Sequence, residues 1–343
     1  MRLRRSSGSV LVLVLWTLVL FTVYAVSLGA SARARATLLS RTQLMASLES
    51  IAYCGIERAK AVVANDTTDG LDTSTDTWAD SAGAFYDVPA GEGLFRVGVF
   101  VPGRKTAVFH AGIVDEESKI NLNKADAGVI AHLLQVAAQM DLDEAQELSQ
   151  NILDWRDQDS NHQHPQYGAE DKYYDDLVPP YLCKDAPLEV LDELLLIKGI
   201  KREIFDKITP FVTLFGSGAV NVNTAPKEVL LALGLPVRTV DKMMVYRAGA
   251  DGEIGTRDDA AFAQVQVIAQ LLELAKLPLD GEERAAVSNL ADVEKLTVVS
   301  NFFSAHSQGV SPGGAVLGLD AVFDREGKVY SVRSSGVKWP SRV

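Results

Sequence analysis

Cysteine is nearly absent from this chain: Cys54 and Cys183 are the two in 343 residues. Two cysteines cannot build a disulfide framework. One bridge in an oxidising compartment and two separate thiols remain equally open, because spacing does not show whether the side chains meet. Basic residues are also in deficit, with 33 Lys and Arg against 45 Asp and Glu, a net charge of −12. A surface that binds nucleic acid through phosphates needs clustered cations, so that class is disfavoured. No persuasive catalytic set is found, and there is no phosphate-binding Walker run. Asp157 and Glu170 are the one acid/base pair worth naming, and nothing around them marks a substrate cleft. A membrane-tethered hydrolase is the enzyme reading this leaves, and a non-enzyme is expected.

What is present is a folded, membrane-linked chain. Hydrophobic residues make up 47% and charged residues 23%, enough to bury a core. Arg2, Arg4 and Arg5 precede a stretch from Ser9 to Ala30 without a charged side chain. That length crosses a bilayer core as a helix, and the flanking arginines place the N-terminus in the cytoplasm. A cleaved secretory signal competes, with Ser27 to Ser31 as its small-residue cleavage site. Against it, Ala32 to Ala64 continues helically, without proline and with Gly55 as its one glycine; Leu38, Met45, Leu48, Ala52 and Ile56 recur at helical spacing.

Beyond the helix, Asn65 to Ala82 reads as a loop rich in Asp, Thr, Ser and Gly. Gly93 to Val101 alternates like a strand, Pro102-Gly103-Arg104 turns, and Thr106 to Val114 forms a second strand. A mainly helical stretch follows from about Ile120 to Ala291. Strand character returns at Val298 to His306, Ala315 to Asp324 and Lys328 to Val337, with Asp324 to Gly327 as the last hairpin turn. The helical stretch holds an internal repeat: Lys119-Ile120-Asn121-Leu122-Asn123-Lys124-Ala125 is echoed by Val220-Asn221-Val222-Asn223-Thr224-Ala225-Pro226. Asn123 and Asn223 are expected as helix N-caps, and Pro226 in the first turn of its helix.

The segment Ile152 to Tyr181 is dense in carboxylates: Asp154, Asp157, Asp159, Glu170, Asp171, Asp175 and Asp176. Ca²⁺ takes 6–8 oxygen ligands from flexible loops, so Asp157, Asp159, Glu170, Asp171 and Asp175 are the candidate ligands, against a solvated acidic loop. Zinc through His162, His164 and Cys183 lacks an evident fourth ligand. The Asp251 to Asp259 loop is a second acidic turn without EF-hand spacing. Ile197-Lys198-Gly199-Ile200 resembles the hairpin of helix-hairpin-helix modules, which offer backbone N–H groups to phosphate. A membrane-anchored DNA-binding protein of a DNA-uptake system is therefore the rival reading. Lys198 and Lys201 are few to offset the acidic surroundings.

Taken in order, these features resemble the K-type minor pseudopilin family of type II secretion systems. A short basic leader ending in Gly8 before a long apolar helix is similar to a prepilin leader. The resemblance implies cleavage between Gly8 and Ser9 by a prepilin peptidase, followed by methylation. Most pilins carry Glu at the fifth mature position; here that position is Leu13, and the K-type member resembles this departure. A carboxylate in the bilayer is costly unless paired, and a subunit at the tip has no neighbour above it. The family implies an α+β fold: a long N-terminal helix and antiparallel sheet, with a large helical domain inserted in the sheet. The divisions expected are a leader at 1–8, a transmembrane part at 9–31 and a periplasmic helix at 32–64. A first β region at 65–118, the insert at 119–291 and return strands at 292–343 follow. It further implies calcium in the acidic segment, I- and J-type minor pseudopilins as partners, and a single-pass inner-membrane protein with its head in the periplasm. Ala46, Ala52 and Ile56 are expected to face partner helices. The role implied is to start and cap a secretion pseudopilus.

Overall fold

The computed structural model describes residues 7–68, 70–101, 108–159, 161, 164 and 166–338. Residues 1–6 of the expected leader lie outside them. Helix α1 runs unbroken from Ser7 to Ala64, 58 residues or about 87 Å at the usual rise. Only its C-terminal third packs. Leu48, Ile51, Ala52, Ile56, Ala59 and Val63 are buried, the i, i+3, i+4 stripe that faces a sheet, whereas no side chain from 10 to 43 is buried. One window of this helix is long and apolar enough to cross a membrane.

A short helix α2 (Ala82–Phe85) leads into strands β1 (Val88–Ala90), β2 (Gly93–Val97), β3 (Val99–Val101), β4 (Val108–His110) and β5 (Val114–Asp115). The chain rejoins the sheet at β10 (Phe302–Val310), β11 (Val316–Asp324) and β12 (Val329–Lys338). The antiparallel order is β1-β2-β10-β11-β12, and β5 pairs with β10 beside β2. Strand β10 alternates: Phe303, Ala305, Ser307 and Gly309 turn inward, where α1 covers them. Trp78, Phe85, Phe95, Phe303 and Phe323 fill the space between helix and sheet with Ile51, Ala59 and Val63. Ala52 and Ile56 pack in the same interface against Leu317, Leu319 and Ala321. The expectation that these two residues face partner helices is therefore corrected: the head's own sheet covers them, and a helical period alone does not say which surface meets the stripe.

Between β5 and β10 lies the insert. It contains β6 (Ile120–Asn121), α3 (Ala127–Ala138), α4 (Leu142–Arg156), α5 (Asp171–Asp175), α6 (Arg202–Ile208) and β7 (Val212–Thr213). A second set follows: β8 (Val220–Asn221), α7 (Lys227–Ala232), α8 (Val237–Arg247), α9 (Ile268–Leu274), α10 (Gly281–Asp292) and β9 (Leu296–Thr297). β6 pairs parallel with β7, and β8 with β9. Because Leu296 and Thr297 are held in the insert by β8, the sheet resumes at Phe302, ten residues after the expected boundary at 292.

The two halves share a set of hydrogen bonds. The Asn121 and Asn221 side-chain oxygens accept from the N–H of Asn123 and Asn223. Asn123 clamps Leu188 through its backbone N–H and C=O, and Asn223 clamps Phe262 in the same way. Arg156 donates to the Ala125 carbonyl, and Arg247 to that of Ala225. Asn123 and Asn223 are thus loop clamps and not N-caps. Asp126 caps α3 by accepting from Val129 N–H, and Pro226 itself occupies the cap position of α7. One asparagine amide offers both a donor and an acceptor, so it satisfies a whole peptide unit of a distant loop.

The insert stands at the end of α1 remote from the apolar span. Asp72, in the loop just past α1, donates its backbone N–H to Val298, and its carboxylate accepts from Ser300 N–H. Asn221 bonds the Asp72 carbonyl, and Leu71 packs against the insert's core.

Candidate functional site

Helix α4 buries Leu148, Ile152 and Trp155, which aims its last turn at the following loop. Asp154 is fully buried there, and Asp157 is the C-cap. The chain returns through Ala169, whose N–H donates to Asp154 Oδ2 at 3.1 Å, and then Glu170, the N-cap residue of α5. Glu170 is 5% exposed, and neither of its carboxylate oxygens has a hydrogen-bond partner. Burial first, then the carboxylates of Asp154, Asp157, Asp185 and Asp159, push its pKa up to about 7. Ligand atoms of Glu170, Cys183 and Asp185 lie within 4.8 Å of one another, and Asp185 Oδ1 is also buried and unbonded.

Buried carboxylate oxygens without donors fit a cation, because each otherwise carries its full desolvation cost. The donor chemistry points to an oxygen-seeking ion. Burial pushes the Cys183 thiol up to about 12, and its Sγ donates to the Asp154 carbonyl at 3.5 Å. Calcium suits the hard, flexible oxygen set. Of the expected ligands, Asp157 and Asp159 act on Glu170 in this pocket. Asp171 spends one carboxylate oxygen on Cys183 N–H at 2.9 Å, and Asp175 is exposed at the end of α5. Asp185 was not anticipated; it comes into place through loop closure, and no local spacing announces it. His162 lies outside the described residues, and His164 stacks on Tyr167.

The Asp251–Asp259 loop closes on its own donors. Thr256 bonds Asp258 Oδ1, and Ala250 and Asp251 N–H groups bond Oδ2. Those bonds hold Asp258 down to about 2. A second trio, Asp66, Asp72 and Asp76, already has its cation: Arg325 pairs with Asp72 at 2.5 Å and Asp66 at 3.4 Å.

A buried polar seam joins insert and sheet. Asp115 Oδ2 accepts from Ser300 Oγ (2.6 Å), Thr224 Oγ1 (2.5 Å) and Asn221 Nδ2 (3.2 Å), while Oδ1 accepts from Glu117 N–H. Burial raises Asp115 to about 6, and burial with the neighbouring Asp115 charge raises Glu117 to about 8. Glu116 is lowered instead, against the effect of its burial, by Lys119 and by bonds from Ser304 and Thr213.

The hairpin that suggested DNA binding is engaged internally. Lys198 N–H donates to Tyr174 Oη, its ammonium pairs with Glu147 at 3.0 Å and lies over the Tyr173 ring. Asn151 holds the Lys198 carbonyl. A phosphate would have to displace these contacts.

Residues 112–217 match the family described as type II secretion system (T2SS), protein K. The type II secretion system protein K of Aeromonas hydrophila is 36% identical over 95 residues, covering 27% of this chain and 28% of that protein. Over this segment the chain is similar to the protein K family of type II secretion. A putative protein K of Escherichia coli strain K12 is 31% identical over 91 residues, 26% of this chain and 27% of that one. The alignments thus span little more than a quarter of these two relatives. The fold extends further. A chain from the crystal structure of the GspK-GspI-GspJ complex of enterotoxigenic Escherichia coli matches with a TM-score of 0.62 and 16% identity, over 89% of this chain and 99% of that one. The matched segment contains β5, the first half of the insert and the whole carboxylate pocket. The free thiols, exposed Cys54 on α1 and buried Cys183, form no bridge.

Proposed function

We propose that this protein is a minor pseudopilin that starts and caps a type II secretion pseudopilus, acting as a structural subunit. The observation that carries the reading is the placement of the insert. It occupies the end of α1 opposite the apolar span, held there through Asp72, Asn221 and Ser300. In a fibre built by stacking such helices, a bulky domain at that end blocks the next subunit. The N-terminal part of α1, exposed from residue 10 to 43, supplies both membrane anchor and stacking surface. In this reading the N-terminus is cytoplasmic and the head is periplasmic, in a single-pass inner-membrane protein. I- and J-type minor pseudopilins are the partners, and Leu13 removes the need for a pairing amine above. The pocket around Glu170 holds Ca²⁺, with Asp157, Asp159 and Asp185 as further ligands; the ion supplies the charge that lets these carboxylates stay ionised together.

Processing tests the reading. Co-expression with a prepilin peptidase should remove Met1 to Gly8, leave a methylated Ser9 and fail in Gly8→Ala. A soluble product cut near Ala30, seen by intact-mass spectrometry, would contradict it.

A further inference from the structure

We propose that the carboxylate pocket clasps the neck of the loop from Asp171 to Cys183, so that a bound divalent cation orders this loop and fixes its apolar tip. This rests on the reading of the pocket as a cation site. Both ends of the loop meet there: Glu170 precedes it, Asp185 follows it, and their ligand atoms converge within 4.8 Å. Across the neck, Cys183 N–H donates to the Asp171 side-chain Oδ1 at 2.9 Å, and further out Tyr181 N–H donates to the Tyr174 carbonyl at 3.3 Å.

The loop's two regions are held very differently. Its inner side is anchored by aromatic packing. Tyr174 is fully buried, lies edge-on to Trp155 at 5.1 Å and meets Tyr181 at 5.3 Å. Tyr181 Oη donates to the Leu196 carbonyl at 2.7 Å. The outer side carries Val178, 98% exposed, and Leu182, 66% exposed, with Pro179 and Pro180 between them. At the neck, carboxylates of one sign face each other. Ionised and without a counter-charge, Glu170 and Asp185 repel and load the Cys183–Asp171 bond at the neck. A cation between them reverses the sign of that interaction and ties both ends to one point. Opening the neck then requires release of the ion, which links loop motion to calcium concentration.

Hydrogen–deuterium exchange on the full chain in detergent micelles, with CaCl₂ or with EDTA, reads this directly. Calcium binding is followed in parallel by calorimetry. With calcium at ten times its Kd, exchange in peptides spanning residues 171–185 should slow about tenfold, with α3 peptides unchanged. Glu170→Gln should abolish the response; if that variant misfolds, Asp185→Asn tests the opposite side of the neck. Calcium that binds without slowing the loop overturns the coupling and leaves the cation site standing. Absence of calcium binding overturns both. Equal slowing in wild type and in a folded variant also overturns the proposal, since the protection would then arise elsewhere.

Discussion

Glu117 gives a direct handle on the seam between insert and sheet. It is 3% exposed, and its pKa rises from 4.5 to about 8, first through burial and then through Asp115. The folded protein therefore keeps a proton that the unfolded chain releases. Its contribution to stability is fully present below about pH 4.5, declines as the pH rises, and is gone above about pH 8. At 1.36 kcal/mol per pH unit, a shift of this size is roughly 4–5 kcal/mol, and at the effective dielectric of real buried sites it falls to on the order of 2 kcal/mol. Glu117→Gln keeps an acceptor for Phe302 N–H, which Glu117 Oε2 receives at 3.0 Å, and removes the titration. Urea unfolding at pH 5 and pH 8 measures the difference. A head starting near residue 35 serves, because no side chain from 10 to 43 is buried. Wild type should lose about 2 kcal/mol more than the variant between the two pH values. Glu170 titrates in both proteins and cancels in the comparison. Pairs of curves with the same pH slope, within about 0.5 kcal/mol, would refute the account of the seam.

Calcium at about one hundred times its Kd should stabilise the same head by about 2.7 kcal/mol, seen as a higher Tm that EDTA reverses and that Asp157→Ala with Glu170→Ala largely removes; an unchanged Tm would make the pocket a plain acidic surface. Gly309→Ala should cost about 2–3 kcal/mol, because a Cβ there would lie 2.2 Å from the Leu48 carbonyl oxygen and 2.9 Å from the Ala52 nitrogen of α1. Thermal melts check it, and a neutral substitution would mean that helix and sheet are not in close contact at that point.

Strong periodicity made much of the architecture legible. The strand expected at Ala315 to Asp324 and the uninterrupted helical pattern of α1 appear where expected, whereas the strand expected at Val298 to His306 runs from Phe302 to Val310. The insert's far boundary was hidden, since Leu296–Thr297 is a two-residue strand whose partner lies in the other arm of the insert. Repetition of Asn-x-Asn was visible, yet its use was not: a clamp on Leu188 or Phe262 depends on a loop 65 or 39 residues away. The acidic segment announced a cation site in general terms, whereas Asp185 joins it only through closure of the 171–183 loop. Asp115-Glu116-Glu117 drew no expectation from the sequence, yet all three are buried in the seam.

The central claim, that this protein caps a pseudopilus with minor partners, is tested most directly by co-purification. The full chain, tagged and co-expressed with the I- and J-type minor pseudopilins of its own system, should yield a stoichiometric ternary complex at physiological salt. Leu13→Glu should weaken membrane placement or recovery of that complex without unfolding the head, and a labelled DNA duplex should not be retained. Micromolar DNA affinity that falls steeply with salt, together with recovery of neither partner, would contradict the account.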